Sequence, residues 1–249
     1  MVTNQMEDLK ILKNRITRFI LVYKFALSEL ETKIEILQEE FQLLHDYNPI
    51  EYTKSRIKSP ESIIKKWQRK GGGMNFQSLK DNVRDIAGLR ITCSFIMDIY
   101  RISDMLKGQS DLKIVEVKDY IKHPKPNGYQ SYHMLLEVPV FMSDRIEQVL
   151  VEVQIRTMAM DFWASLEHKI FYKYDQAVPE DLLKKLKDAA DSATLLDRQM
   201  EQLHHEINII KHEHEKDNED DFSWLIDKGQ QISIPMTLLE LMDGEFEGK

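Results

Sequence analysis

The stretch Val149-Leu150-Val151-Glu152-Val153-Gln154-Ile155-Arg156 carries valine or isoleucine at every second position. A period of two is that of a half-buried β-strand, which turns Val149, Val151, Val153 and Ile155 to one face. Glu152, Gln154 and Arg156 then stand in a row on the other face, and three polar groups in line need either partners or a ligand. Working outward, three further runs read as strands, over 86–95, 112–117 and 132–138, with a helical pattern at 98–107 between the first two. The pattern predicts a mixed α/β (α+β) core, and a fifth strand has room near 140–148.

Helices bracket this core. Apolar residues recur every seven positions at Leu9, Ile16, Tyr23, Leu30, Leu37 and Leu44. Leu12 and Phe19 interleave first, and then, one place later in the repeat, Leu27, Ile34 and Phe41. With neither Gly nor Pro before Pro49, this predicts one helix over about 5–46, with a register shift near Ala26 of the kind that interrupts coiled coils. Two partners for its stripe stay open, a helix near the C-terminus or a second subunit. Ser59 as a cap, Pro60 in the first turn and Gly71-Gly72-Gly73 at the end frame a second helix over 59–70, followed by a loop expected to move. Further helices are predicted over 158–173, where Phe162, Trp163 and Leu166 would pack on the sheet. The last, over 180–216, has Leu182, Leu183, Leu186, Leu195, Leu196, Leu203, Ile207 and Ile210 as its apolar positions.

Composition narrows the function classes. The chain has 249 residues, 42% hydrophobic and 31% charged, enough apolar material for a folded core. No apolar run reaches the roughly 18–20 residues of a membrane helix, and the start lacks a signal peptide's basic flank, so a cytoplasmic protein without a membrane partner is expected. The single cysteine, Cys93, lies in an apolar run and reads as a small buried hydrophobe. Net charge is −8, but residues 216–249 hold nine carboxylates against three lysines, which leaves the body near neutral. Within that body Lys54, Arg56, Lys58, Lys65, Lys66, Arg69 and Lys70 face only Glu61, a composition that suits either a polyanion site or a solvated helix face.

Three constellations could carry chemistry. Arg56, Lys58, Ser62 and Lys66 straddle the start of the second helix, where free backbone N–H groups and cationic side chains suit a triphosphate. Asp85 stands at the entrance of a strand, with Arg90 five residues on and Glu152 on the last strand. Two carboxylates at a sheet edge beside a phosphate site are what a Mg²⁺ on nucleotide phosphates requires. The alternative is structural ion pairing, Asp85 with Arg84 or Arg90 and Glu152 with Arg156. In the loop from Lys122 to His133, Tyr129 can stack a base, Asn127 and Gln130 can read polar edges, and Lys122 and Lys125 can neutralise phosphates. The same Tyr and His can equally be core residues.

Five ordered segments, K-S-R-I-K-S-P-E-S-I-I-K-K (54–66), D-I-A-G-L-R (85–90), K-P-N-G-Y-Q-S-Y-H (125–133), V-E-V-Q-I-R-T (151–157) and M-D-F-W-A-S-L-E-H-K (160–169), resemble those of a small alarmone synthetase of the RelA/SpoT homologue group. The segment L-V-Y-K-F-A-L (21–27) and the K-P-N-G-Y loop make it most similar to the RelP branch. The resemblance implies a nucleotidyltransferase-like mixed sheet and transfer of the β,γ-pyrophosphate of ATP to the 3′-hydroxyl of GTP or GDP, with Mg²⁺ as cofactor. It implies Arg56 and Arg90 around the adenine, Lys58, Ser62 and Lys66 on the ATP phosphates, and Asp85 and Glu152 at the metal. Glu152 would complete the metal site or take the proton of the 3′-hydroxyl. Tyr129 would stack the guanine, with Lys122, Lys125, Asn127, His133, Gln154 and Arg156 around the acceptor nucleotide.

The organisation expected is an N-terminal helical segment over 1–47, a catalytic core over 48–175, a C-terminal helical segment over 176–216 and an acidic tail over 217–249. The segment ahead of the first motif is too short for the metal-dependent hydrolase domain of bifunctional relatives, so synthesis without hydrolysis is expected. His45-Asp46 reads as a helix-end feature and not as part of such a site. Family members of this size resemble homotetramers, for which the stripe from Leu9 to Leu44 offers a route. Glu167 and His168 would shape the acceptor side. His204, His205, His212 and His214 lack the spacing of four that a helical zinc site needs. Two other readings stand beside the enzyme. A catalytically silent guanine-nucleotide sensor would need a broken Asp85 or Glu152, and an RNA-binding regulator would bind RNA in a salt-dependent way that nucleotide does not displace. The near-neutral body argues against strong nucleic-acid binding.

Overall fold

The computed structural model describes residues 2–45, 47–71, 76–171 and 178–216. The loop after Gly71, Asp46, the acidic tail from 217 and the side chains of Leu9, Leu12, His212 and His214 lie outside the described residues. The chain forms two units, Met1–Gln202 and Leu203–Lys249. In the second, the described part is helical, and His204 Nε2 lies 3.0 Å from Asn208 Nδ2.

The elements in chain order are α1 (Val2–Leu44), β1 (Ile50–Ile57), α2 (Pro60–Arg69), α3 (Phe76–Asn82), β2 (Ala87–Cys93) and α4 (Ile96–Gly108). They continue with β3 (Lys113–Asp119), β4 (Tyr132–Phe141), β5 (Ile146–Thr157), α5 (Met158–Phe171) and α6 (Glu180–Lys216). The strands form one mixed sheet in the order β1-β2-β5-β4-β3. Only β2 and β5 run parallel; the other neighbours are antiparallel.

The fifth strand is β1 and not residues 140–148, which close the β4–β5 hairpin through Val140 opposite Glu147 and Phe141 opposite Ile146. β1 escaped the alternation test because it is an edge strand. Of Ile-Glu-Tyr-Thr-Lys-Ser-Arg-Ile only Ile50 is buried, so no period of two is imposed on the rest. The short helix α3 was likewise not anticipated.

The apolar face of β5 works as its sequence dictates. Val149, Val151, Val153 and Ile155 are buried in one core with Ile99, Ile102 and Leu106 of α4 and the middle of α1. From α1 that core takes Val22, Tyr23, Ala26, Leu27, Leu30, Ile34, Leu37 and Phe41. Full burial of side chains such as Leu30, Ile34 and Phe41 contributes about 1.5–3 kcal/mol each. The partner of this stretch is therefore the sheet, neither of the two expected. The ends of the heptad pattern run past it, with Ile16 45% and Leu44 73% exposed. Cys93 is fully buried, and burial pushes its thiol far above the ordinary range.

At the start of α4, Asp98 accepts the Phe95 N–H at 3.0 Å and the Tyr47 hydroxyl, which satisfies a buried carboxylate. At the same end of the sheet, where Cys93 lies opposite Thr157, Thr157 Oγ1 accepts the Met160 N–H at 3.1 Å, so the last residue of β5 caps α5. Trp163 is buried not on the sheet but against α6, in a small cluster with Ala164 and Ala190. Its Nε1 donates to Leu186 O at 3.1 Å. Phe162 is 68% and Leu166 39% exposed, so neither packs on the sheet as expected. Most of the apolar positions assigned to α6, Leu182, Leu183, Leu195, Leu196, Leu203, Ile207 and Ile210, are exposed as well. No described helix is long and apolar enough to cross a membrane.

Candidate active site

The polar face of the sheet is left open by the helices, and strand register arranges it in rows. Arg56 lies opposite Gly88, and Gly88 opposite Glu152; one step along, Lys54, Arg90, Gln154 and His133 stand side by side across four strands. Along β5 the row anticipated from the sequence is hydrogen-bonded to itself. Gln154 Nε2 donates to Glu152 Oε2 at 2.8 Å, and Arg156 Nη2 donates to Gln154 Oε1 at 2.8 Å.

Gly88 opens a gap in this surface. A cavity of about 210 Å³ lies there, lined by Lys54, Arg56, Gly88, Arg90, Glu152 and Gln154 among others. A Cβ at residue 88 would stand 3.8 Å from Arg56 Cγ and from Glu152 O, which is ordinary contact, but a longer side chain would enter the space.

Asp85 sits two residues before β2, where α2 and the end of β1 converge on it. Ser59 caps α2 by accepting the Ser62 N–H at 3.3 Å, and Lys66 follows one turn after Ser62. Lys58 Nζ donates to Asp85 Oδ2 at 2.5 Å and Lys66 Nζ to the same oxygen at 2.7 Å. Burial alone would raise the Asp85 pKa, but the two ammonium groups outweigh it and hold the carboxyl below its ordinary range. Burial lowers the Lys58 pKa against the pull of Asp85. Oδ1 of Asp85 is buried with no hydrogen-bond partner among the described residues. An orphaned carboxylate oxygen is costly unless something binds it. A hard divalent cation, which takes one or two carboxylates and fills its remaining positions with water and phosphate, fits this donor set.

A second cavity, of about 500 Å³, is lined by Lys66, Asp85, Lys118, Lys125, His133 and Glu152 among others. Glu152 thus lines both cavities. His133 Nδ1 stands 3.6 Å from its Oε1. Burial would raise the Glu152 pKa, but His133 and Gln154 bring it below the ordinary value. His133 is itself lowered by burial, in spite of Glu152.

The loop between β3 and β4 supplies the far wall. Asp119 Oδ1 accepts the Ile121 and Lys122 N–H groups, both at 3.0 Å, and starts the turn. Asn127 Oδ1 accepts the Tyr129 N–H at 3.2 Å, and its Nδ2 lies 3.4 Å from Glu167 Oε1 on α5. The Tyr129 hydroxyl is held by Arg156 Nη2 at 2.6 Å and His133 Nε2 at 2.8 Å. Lys125 Nζ lies 4.4 Å from the centroid of its ring. Gly128 has φ +87°, and a Cβ there would meet the Ala190 Cβ of α6 at 2.4 Å. Only glycine satisfies both the backbone conformation and this close approach.

The residues singled out from sequence are therefore brought together with two exceptions. Ser62 is exposed and engaged with Ser59, and Lys122 lies on the outside of the loop, 5.1 Å from the Tyr100 ring centroid and 3.9 Å from Asp119 Oδ2. The structural pairings considered from sequence do not form as written: Asp85 pairs with Lys58 and Lys66, and Glu152 contacts His133 and Gln154. Sequence reasoning missed Asp161, which takes ion pairs from Arg90 at 2.9 Å and Arg156 at 3.1 Å. It also missed Asp197 of α6, whose Oδ2 accepts the Thr157 hydroxyl at 2.6 Å. Asp161 stood within the quoted 160–169 segment, but no periodicity points a first-turn helical carboxylate at two strands.

Residues 55–177 match the family described as a region found in RelA / SpoT proteins. The chain is 53% identical over 195 residues to the GTP pyrophosphokinase YwaC of Bacillus subtilis, covering 78% of this chain and 93% of that one. It superposes on the crystal structure of small alarmone synthetase 2 from Bacillus subtilis with a TM-score of 0.69 at 52% identity, over 76% of this chain and 98% of the other. For small alarmone synthetase 1 of the same organism, solved bound to its product pppGpp, the TM-score is 0.72 at 36% identity, over 78% and 98%. By these likenesses the chain belongs to the RelA/SpoT family, in the group of its small alarmone synthetases.

Proposed function

We propose that this chain is a (p)ppGpp synthetase, which moves the β,γ-pyrophosphate of ATP to the ribose 3′-hydroxyl of GDP or GTP and releases AMP. The observation that carries the reading is Glu152, the carboxylate common to two cavities that meet on one sheet face. On the donor side Arg56 and Arg90 flank the smaller cavity with planar guanidinium groups suited to stacking on adenine, while Lys58 and Lys66 serve the triphosphate. On the acceptor side Tyr129 offers its ring to guanine, and Lys125, Asn127, His133, Gln154 and Arg156 surround the nucleotide. Ser62 would reach the phosphates only from the mouth of the site.

The reaction is an in-line displacement at the β-phosphorus. The 3′-oxygen forms the new O–P bond, the bond to the α,β-bridging oxygen breaks, and AMP leaves with that oxygen. Glu152 accepts the proton of the 3′-hydroxyl, a role its lowered pKa allows because it is ionised at neutral pH. Asp85 and Glu152 would hold Mg²⁺, which when bound supplies neutralisation of phosphate charge. When phosphates arrive, Lys58 and Lys66 can exchange Asp85 for phosphate oxygens. Catalysis of this kind rests on positioning and charge neutralisation more than on a strong base.

The catalytic core of this reading is 48–175, with α1 and α6 flanking it. The exposed apolar side chains of those two helices support assembly into a homo-oligomer, a homotetramer by family resemblance. The higher identity to small alarmone synthetase 2 than to small alarmone synthetase 1 supports one branch within the group, and the 21–27 segment supports RelP as that branch. The test is to incubate the protein with ATP, Mg²⁺ and GDP or GTP and to separate nucleotides by anion exchange, with Glu152→Gln alongside. AMP formed in step with a more anionic guanosine product, and absent from the variant, is the expected result. Binding of both nucleotides without any product would favour a silent sensor instead.

A further inference from the structure

Arg90 and Arg156 belong to different sides of the reaction yet stand close together. Arg90 lies opposite Gln154 on the adjacent parallel strand, one pleat from Arg156, which lies opposite Thr92. Burial and the nearby Arg156 charge both act against the charged form of Arg90. Two guanidinium groups so placed repel each other unless an anion lies between them.

That anion is Asp161. Its Oδ1 forms an ion pair with Arg90 Nη1 at 2.9 Å and accepts a hydrogen bond from Arg156 Nη1 at 3.1 Å, while Oδ2 lies 3.3 Å from the Tyr52 hydroxyl of β1. The carboxylate is 11% and the Arg156 side chain 5% exposed, so solvent does little of the screening. Asp161 stands in the first turn of α5, where the helix dipole favours a negative charge. The turn is fixed from both directions, by the Thr157 cap and by Asp197 behind it. Each arginine keeps donors for its own side. Arg90 lines the donor cavity, and its Nε has no hydrogen-bond partner among the described residues, while Arg156 Nη2 reaches the Tyr129 hydroxyl.

We propose that Asp161 is a positioning residue that ties the donor and acceptor sides together, one carboxylate orienting Arg90 toward ATP and Arg156 toward the acceptor nucleotide. The inference rests on the donor and acceptor roles given above to the two arginines. It follows that a substitution which removes the charge but keeps the shape weakens both nucleotides at once, and does so through the arginines.

A double-mutant cycle tests this, with a non-hydrolysable ATP analogue and GDP titrated separately by calorimetry. Asp161→Asn is expected to weaken each nucleotide about tenfold, as loss of a shared buried charge partner would, and to raise both KM values more than it lowers kcat. In an Arg90→Ala background the effect of Asp161→Asn on the ATP analogue should vanish, and in an Arg156→Ala background its effect on GDP should vanish. Asp161→Glu, which restores the charge, should recover part of both affinities. A change confined to one nucleotide, or an effect that persists undiminished when the arginine is gone, overturns the proposal while leaving the roles of the arginines intact. If Arg90→Ala and Arg156→Ala themselves leave affinity unchanged, those roles fail first and the proposal falls with them. The cycle is run in parallel with Asp161→Ser, so that poor folding of one variant does not decide the outcome.

Discussion

The donor and acceptor halves of the site are built by different forces. Donor residues come from one stretch, 54–90, folded into an edge strand, a ten-residue helix and the next strand, and they are organised by charge: two lysines on one oxygen of Asp85. Acceptor residues sit on β4, β5 and the irregular loop ahead of β4, and that loop is organised by packing and close approach, with Gly128 against Ala190 and Tyr129 beside Trp163. A charge-held site can trade partners when phosphate arrives, because one ionic contact replaces another. A packing-held site keeps its shape whether or not the ligand is present.

The sharpest way to break this contrast is Asp85→Asn. With the charge gone, Lys58 and Lys66 face each other uncompensated and the carboxylate for the cation is lost, so turnover should fall roughly a thousandfold in a protein that still folds. Retention of a tenth of the activity would mean that charge does not organise the donor half. Next comes Gly128→Val, which forces side-chain atoms into the Ala190 methyl and strains a backbone at φ +87°. The acceptor KM should rise roughly ten- to a hundredfold with the ATP KM nearly unchanged, since backbone strain and overpacking each cost about 1–3 kcal/mol. Ala190→Gly should recover only part of the loss, because the strain remains after the clash is removed.

A smaller effect concerns α6, whose Asp197 anchors Thr157. Burial pushes the Asp197 carboxyl up from 3.8 to about 6, the Thr157 hydroxyl opposing and Glu201 adding. The folded chain thus holds this proton more tightly than the unfolded one. The group favours folding below its ordinary value of 3.8, and that support is lost as pH rises through about 6. Asp197→Asn should therefore stabilise the protein above pH 7, by about 1–3 kcal/mol or a few degrees in Tm, and the gain should disappear in melts at pH 4. A variant less stable at pH 8 would show that the charge itself holds α6. The smallest change is expected from Lys122→Ala. Its ammonium lies outside both cavities, so the acceptor KM should move by less than about twofold, whereas Lys125→Ala should raise it severalfold.

The same contrast explains what could be read from the chain. The core strand β5 and helix α4 announced themselves because burial on one face imposes a period on the sequence, and α2 because Ser59, Pro60 and the glycines after it mark its ends; α6 shows an apolar pattern although most of those positions are exposed. β1 did not, since a strand buried only at Ile50 owes nothing to periodicity, and its lysine and arginine read as part of a polyanion site or of a solvated helix face. Glu152, Gln154 and Arg156 were legible as an interruption of an apolar pattern. Asp161 with Arg90, Asp197 with Thr157 and the Gly128–Ala190 contact were not, because each works through a residue distant in sequence. The heptads of α1 misled in a different way: they recorded a stripe faithfully but not what it packs on.

β1 and β3 are also the two open edges of the sheet, and each presents unpaired backbone groups on which another chain could add a strand. Both carry an irregularity in register, between Ile50 and Tyr52 and between Ile114 and Glu116, and both are studded with charge. Lys54 and Arg56 guard one edge, Lys113, Glu116 and Lys118 the other. The cations of β1 at the nucleotide site thus also keep the folded protein from joining edge to edge with its neighbours. Neutralising them would be felt in solubility as well as in turnover, and at high protein concentration the first symptom would be aggregation.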